Sequence, residues 1–241
     1  MTNKAVLLSE NDNGVMLLTL NRPEARNALN IELTRALREH LTAYLNDDSL
    51  HIAILTGAGP GFCAGLDLNG FAAPDAPRVE VGELIHWIAG LSKPVIAAVN
   101  GAAVTGGLEL ALACDFIIAS DRARFADTHT RIGALSGSGM SSRLPHAVGT
   151  RWAKQITMSC EPITADTALR IGLVNEVLPH DELFPRARAI AHTIAGHDPE
   201  LVKTVKGTLD KGAHATLAES LVLERDALAA RKAKGGMSWR T

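Results

Sequence analysis

Glu109 stands in a glycine-rich segment whose residue types are suited to acid–base chemistry. Residues 100–110 read Asn-Gly-Ala-Ala-Val-Thr-Gly-Gly-Leu-Glu-Leu and follow a short apolar run. A carboxylate among apolar neighbours is costly to bury unless it is solvated, paired or functional. If it reaches a pocket, it can take and return protons during a reaction. The residues alone also allow a plainer interpretation, in which Glu109 faces a polar cavity and caps backbone groups.

A second glycine-rich segment spans residues 57–68 and also follows an apolar run. Glycines let a ligand approach the backbone, and N–H groups at a helix start can face negative charge. Phosphate-binding motifs fit poorly, because neither segment contains Gly-Lys-Ser/Thr and Pro60 interrupts a dinucleotide fingerprint. The glycine spacing around Ser136 does not match a serine-hydrolase elbow either. The two segments therefore favour stabilisation of a charge that develops during a reaction.

Composition excludes several other classes of function. The net charge is −2 with no long block of like charges, and aromatic residues make up only 4%. This disfavours nucleic-acid and membrane surfaces, and no run approaches the roughly 20 apolar residues of a membrane span. No cysteine or histidine spacing predicts a metal site. The three separated cysteines, Cys63, Cys114 and Cys160, indicate a reducing compartment, and we expect a cytoplasmic protein.

The elements that must position these segments alternate between apolar strands and helices. Apolar runs predict strands at residues 15–20, 51–56, 95–99 and 116–119, and the first is expected to form a hairpin across Asn13-Gly14. Helices are predicted after an Asn30 cap and at residues 83–89, 108–113 and 217–230. The alternation predicts an α/β protein built from parallel βαβ units, mainly helical after residue 138.

Five ordered motifs together resemble the crotonase, or enoyl-CoA hydratase/isomerase, family, and the resemblance covers nearly the whole chain. The motifs are Leu-Asn-Arg-Pro-Glu-Ala-Arg-Asn-Ala-Leu at 20–29, Phe-Cys-Ala-Gly-Leu-Asp-Leu at 62–68, Lys-Pro-Val-Ile-Ala-Ala-Val-Asn-Gly at 93–101, the 106–115 segment, and Ala-Leu-Arg-Ile-Gly-Leu-Val-Asn at 168–175.

The resemblance implies a spiral of ββα units followed by a helical oligomerisation region. We expect a core at residues 1–190 that binds acyl-CoA and carries out catalysis, and a shortened helical region at residues 191–241 that forms homotrimers or dimers of trimers. It also implies coenzyme A thioester substrates, with no permanently bound cofactor. By position, the backbone N–H groups of Leu66 and Gly106 would form the oxyanion hole that holds the thioester oxygen as it becomes an enolate.

The resemblance further implies where the coenzyme lies. The segment after Asn-Arg-Pro supplies Arg26 and Ala28 as predicted nucleotide-side contacts, and Ala64, Asp67 and Leu68 are predicted to line the following loop. Two plainer interpretations stay open: Arg26 as a solvated surface residue, and Asp67 as a cap of the next turn.

The sequence departs from the family's hydratases at His129. Those enzymes use two glutamates; Glu109 matches the first, whereas His129 stands where the second belongs. His129 is either a second acid–base group, a residue that only shapes the pocket, or a sign that hydration has been lost. Asp127 is two residues away on the same face of an extended segment, which makes it a possible partner or substitute.

The expected activity is that of an enoyl-CoA hydratase-like lyase of fatty acid metabolism. Glu109 is the predicted principal acid–base residue and His129 the auxiliary. The alternatives are a non-catalytic acyl-CoA-binding protein, and an isomerase or carbon–carbon lyase that uses the same enolate.

Overall fold

The computed structural model describes residues 5–73 and 76–235. The strands are β1 (Leu7–Asp12), β2 (Val15–Leu20), β3 (Ile52–Gly57), β4 (Gly61–Cys63), β5 (Val95–Val99), β6 (Ala102–Val104), β7 (Phe116–Ser120), β8 (Arg124–Ala126), β9 (Ile163–Thr164) and β10 (Glu176–Leu178). The helices are α1 (Ile31–Asn46), α2 (Val79–Ala89), α3 (Gly106–Leu112), α4 (Met140–Ser159), α5 (Ala165–Arg170), α6 (His180–Ala195), α7 (Pro199–Gly212) and α8 (Leu217–Ala233). Short 3₁₀ helices occupy Pro23–Ala25 and Thr130–Ile132.

The strands form two sheets. The larger sheet has the order β1-β2-β3-β5-β7-β10, and every pair in it is parallel except the β1–β2 hairpin. The smaller sheet has the order β4-β6-β8-β9, with β4, β6 and β8 parallel. In sequence, β3, β5 and β7 of the larger sheet are each followed by a strand of the smaller sheet and then by a helix. The predicted spiral of ββα units is thereby confirmed.

The central strands are apolar because both faces of the larger sheet are covered. Alternate residues of β3 point to opposite sides: Ile52 and Ile54 pack with α6, while Ala53 and Leu55 join the core with α1, α2 and α3. The same alternation runs along β5, all of whose residues are buried. Because both faces are buried, the apolar runs at residues 51–56 and 95–99 correctly predicted β3 and β5.

The smaller sheet positions the candidate site. Since β4, β6 and β8 are parallel neighbours, their carboxyl ends meet at one edge. Leu66 follows β4, Gly106 and Glu109 follow β6, and His129 follows β8. Groups that are up to 63 residues apart in sequence (66 to 129) are therefore brought to one edge of a three-stranded parallel arrangement.

Local signals explain several element boundaries. The Asn30 side chain accepts a hydrogen bond from the Leu33 N–H (2.9 Å) and caps α1, as predicted. The Asn13-Gly14 turn joins β1 to β2 with both residues at positive φ. Helix α3 begins at Gly106, two residues before the prediction, because the segment after β6 turns directly into it.

The described residues form two compact units, one ending at Ala195 and one beginning at Gly196. The second unit consists of α7 and α8, capped by Asp198 and by a Thr216–Glu219 capping box. Apolar side chains of both helices are exposed: Leu201, Val205, Leu209, Leu217, Leu221, Val222 and Leu228. The division of function between residues 1–190 and 191–241 stays a prediction. The last six residues of the predicted helical region, 236–241, lie outside the described residues. Within the described ranges, none of the helices combines the length and apolar character needed to cross a bilayer.

Candidate active site

The two glycine-rich segments lie against each other at the edge of the smaller sheet. A Cβ on Gly107 would lie 2.0 Å from the Cys63 carbonyl oxygen, and one on Gly101 would lie 2.0 Å from that of Pro60. Gly65, at φ +97°, would place a Cβ 3.1 Å from the Gly106 nitrogen. Only glycine fits at Gly107 and Gly101 without movement of the backbone, so these residues set how closely the two segments approach.

The approach places two backbone donors side by side. A Cβ on Gly106 would lie 3.3 Å from the Leu66 nitrogen. Leu29 fixes the Leu66 segment, because its N–H donates to the Gly65 carbonyl (2.7 Å) and its carbonyl accepts from the Asp67 N–H (2.9 Å). Within the described ranges, neither the Leu66 nor the Gly106 N–H donates a hydrogen bond to another residue. Leu66 and Gly106 therefore stay the predicted oxyanion-hole donors.

Leu66 and Gly106 both line a cavity of about 770 Å³. The loop after β4, the start of α3, helix α2 and the segment after β8 enclose it, and its rim carries the exposed apolar side chains Leu68, Val79, Ile132 and Leu135. Glu109 and His129 both line it. A cavity with a mainly apolar lining and a few polar groups is typical of a small-molecule site.

Glu109 is 3% exposed and is held through one carboxylate oxygen. Its Oε1 accepts hydrogen bonds from the Ser136 hydroxyl (2.5 Å) and from the Met140 N–H (3.2 Å). Met140 is the first residue of α4, so this N–H belongs to the unpaired donors of a helix start. Among the described residues nothing bonds to Oε2, which leaves this oxygen available for proton transfer.

His129 is paired with Asp127. Its Nδ1 lies 2.7 Å from Asp127 Oδ1, and its backbone N–H donates to the same oxygen (3.2 Å). A carboxylate oxygen only accepts, so Nδ1 carries the proton and Nε2 is the ring nitrogen left for a ligand. The hydrogen bond to Asp127 raises the pKa of His129 despite partial burial, and the charges of Asp127 and Glu109 add to this. Burial works to raise the pKa of Asp127, but the His129 hydrogen bonds outweigh it and the pKa is lowered.

The predicted coenzyme contacts divide into two groups. Ala64 and Leu68 line the cavity, whereas Arg26, Ala28 and Asp67 do not. Arg26 is exposed, and its carbonyl accepts from the Ala64 N–H (3.0 Å), which places its backbone beside the loop. Ala28 is buried.

Asp67 does cap the next turn. It accepts from the Gly70 N–H (3.0 Å), and it pairs with Arg22 (2.9 Å). The Gly70 hydrogen bond, aided by Arg22, lowers the pKa of Asp67. Its predicted contact with coenzyme A stays a prediction.

Four hydrogen-bonded contacts at the site were not predicted from the sequence. The Ser136 hydroxyl donates to Glu109, which is 27 residues away in sequence. His86 of α2 bonds to the Gly137 carbonyl and to Arg143. The hydroxyls of Thr105 and Thr128 lie 2.6 Å apart in the cavity wall. No local pattern announces such contacts, because each joins separate segments.

Cys63 has no role as a nucleophile in this geometry. It is fully buried, and burial raises the pKa of its thiol to about 12. A thiol of this kind behaves as a small apolar side chain.

The fold and the site together define a class of protein: an α/β spiral of ββα units in which two neighbouring glycine-rich segments and a carboxylate line one cavity. The family model for enoyl-CoA hydratase/isomerase matches residues 10–237. A 2,3-dehydroadipyl-CoA hydratase of Escherichia coli is 39% identical over 214 residues, which cover 88% of this chain and 84% of the relative.

Solved structures of enoyl-CoA hydratases are similar to this chain over nearly its whole length. The crystal structure of an enoyl-CoA hydratase from Bacillus anthracis has a TM-score of 0.89 at 33% identity, covering 93% of this chain and 90% of that chain. The structure of one from Mycobacterium avium has a TM-score of 0.79 at 46% identity, covering 94% and 96%. The chain belongs to the enoyl-CoA hydratase/isomerase, or crotonase, family of enzymes.

Proposed function

We propose that this enzyme adds water across, or removes it from, the α,β bond of an acyl-CoA by way of a thioester enolate. The observation that carries the proposal is one cavity lined by Leu66, Gly106, Glu109 and His129, the last of which is paired with Asp127. Enoyl-CoA hydratases among the relatives support the same reaction. Coenzyme A would enter as part of the substrate and would not be a resident cofactor.

The first step of hydration is assigned to Glu109. Its free Oε2 takes a proton from water while the water oxygen bonds to the β carbon. The electrons of the double bond move to the thioester oxygen, where the N–H groups of Leu66 and Gly106 stabilise the negative charge. The proton is then returned to the α carbon, and the carbonyl re-forms. Ser136 and Met140 keep the other carboxylate oxygen still during both transfers.

His129 is assigned as the auxiliary. In its neutral form Nε2 accepts a hydrogen bond from the attacking water, which gives that water a second holder besides Glu109. Asp127 keeps the ring in this tautomer and orientation. An imidazole can thus replace a carboxylate as the second acceptor for water, although it titrates at a higher pH.

The test measures the hydration of crotonyl-CoA through the loss of the ultraviolet absorbance of its conjugated thioester. Glu109→Gln is expected to lower kcat by about 10²–10⁴-fold while acyl-CoA affinity is retained. An enzyme that binds acyl-CoA without any turnover abolished by Glu109→Gln would be a non-catalytic binder. Chromatography of the products separates hydration from isomerisation and from carbon–carbon cleavage.

We also propose that the enzyme is a homotrimer or dimer of trimers and is cytoplasmic. The exposed apolar side chains on α7 and α8 support assembly, because such groups seldom remain in water. The three free, buried cysteines support a reducing compartment. Light scattering of the purified enzyme and of Leu221→Lys tests the assembly; a monomeric wild type would contradict it.

A further inference from the structure

Thr105 has a backbone conformation that is normally reserved for glycine. Its φ is +52° and its ψ is −111°, in the residue directly before the Gly106 donor. A β-branched side chain in this region is a genuine outlier. Such strain persists where surrounding contacts hold it, and it is concentrated at functional sites. The Thr105 side chain is also not used to cap α3.

The Thr105 hydroxyl contacts the segment that carries His129. It lies 2.6 Å from the Thr128 hydroxyl and accepts a hydrogen bond from the Thr128 N–H (3.1 Å). This contact joins the strand-end segment of Gly106 and Glu109 to that of Asp127 and His129. Both threonines line the cavity.

The hydroxyl pair has one O–H more than its mutual hydrogen bond uses. Two hydroxyls have two protons, and their mutual hydrogen bond uses one of them. Within the described ranges neither hydroxyl bonds to any further acceptor. Whichever threonine donates to the other, one O–H remains as a donor in the wall of the cavity.

The thioester oxygen does not need this donor, because the two N–H groups of Leu66 and Gly106 match its two lone pairs. The oxygen at the β carbon has no donor so far, since Glu109 Oε2 and neutral His129 Nε2 both accept. The hydroxyl pair lies next to both of the segments that carry these acceptors.

We propose that the Thr105–Thr128 hydroxyl pair donates a hydrogen bond to the oxygen that enters or leaves at the β carbon. The pair thereby selects acyl-CoA ligands with a β-hydroxyl group over those without one. The assignment rests on the proposed function for the meaning of that oxygen, but it can be measured by binding alone.

The experiment compares affinities for 3-hydroxybutyryl-CoA and butyryl-CoA by calorimetry. All proteins carry Glu109→Gln, which prevents interconversion of the ligands during the measurement. The double variant Thr105→Val/Thr128→Val removes both hydroxyls at similar volume, because loss of either one alone would still leave a free O–H. The matched control, Thr105→Ser/Thr128→Ser, keeps both hydroxyls. The valine double variant is expected to weaken 3-hydroxybutyryl-CoA binding about fivefold to tenfold, the size of one hydrogen bond. Butyryl-CoA binding should change less than about twofold, and the serine double variant should behave like the parent for both ligands.

Equal losses for both ligands in the valine double variant, or no loss for either, would overturn the proposal, since a merely structural contact cannot distinguish a β-hydroxyl. The hydration assay on the enzyme without Glu109→Gln is separate. If that assay shows no hydration but the hydroxyl pair still discriminates between the two ligands, the proposed function is wrong and the assignment of the hydroxyl donor is retained.

Discussion

The two walls of the active-site cavity are built in different ways. The backbone wall carries the N–H groups of Leu66 and Gly106, and its geometry is set by glycines whose neighbours leave no room for a Cβ. The side-chain wall consists of side chains held by hydrogen bonds: Glu109 by Ser136, and His129 by Asp127. The first wall tolerates almost no change of residue, whereas the second can be altered by single substitutions that leave the fold intact. This difference can be tested from either side.

The largest effect is expected in the backbone wall, from Gly107→Ala. The new Cβ would lie 2.0 Å from the Cys63 carbonyl oxygen, so backbone must move. We expect a loss of about 3–5 kcal/mol in the free energy of unfolding, measured by urea denaturation. Gly207→Ala, in the interior of α7 with open space around it, is the control and should be neutral or stabilising. Equal stability of the two variants would contradict the claim that steric contact at Gly107 sets the geometry of the backbone wall.

The next effect lies in the side-chain wall, at Asp127→Asn. Because Asp127 raises the pKa of His129, neutral His129 and full activity are reached only at higher pH. We expect kcat/KM of the wild type to rise with pH through a pKa above 6.5, the ordinary histidine value. In Asp127→Asn this limb should move to lower pH, and the maximal rate should fall about 10–100-fold. A limb that does not move would belong to another group.

A smaller effect is expected from Ser136→Ala. Glu109 keeps its bond from the Met140 N–H but loses the Ser136 hydroxyl, which lies 2.5 Å from Oε1. Steady-state kinetics should show kcat reduced about tenfold with little change in KM. Ser136→Thr, which retains a hydroxyl, should recover most of the rate; no recovery would mean that the loop and not the hydroxyl matters.

The smallest effect concerns the strain at Thr105. Thr105→Ala removes the hydroxyl but keeps a Cβ in the unfavourable conformation, whereas Thr105→Gly removes both. The glycine variant is expected to be more stable than the alanine variant by about 1 kcal/mol, or about 2–4 °C in Tm. If the two variants melt together in calorimetry, the backbone at residue 105 is not strained.

The backbone wall was largely predictable from sequence. Glycine positions and the apolar runs before them indicated where backbone would face a ligand, and the Asn30 cap and buried strands followed from local rules. The strands β4, β6 and β8 were not predicted as strands, since each has only three residues and two border glycine-rich turns. Tertiary pairing, and not intrinsic propensity, makes them strands.

The side-chain wall was predictable only where partners are close in sequence. Asp127 and His129 are two residues apart, and their pairing was among the expectations. The Ser136–Glu109 and Thr105–Thr128 contacts span 27 and 23 residues. Which side chains meet over such distances depends on how three strand ends are placed, and the sequence carries no periodic signal for this.

The close approach of Gly107 to Cys63 has a consequence for how such an enzyme can change over generations. In the proposed reaction, the two amides that stabilise the enolate are positioned by the path of the backbone, so replacing a reacting side chain leaves them in place. Substitutions at residues 129 and 136 are therefore expected to change the reaction while the same two amides remain to stabilise an enolate. In the proposed reaction, the glycines keep the enolate-binding amides in place, and the surrounding side chains determine which reaction the enolate undergoes.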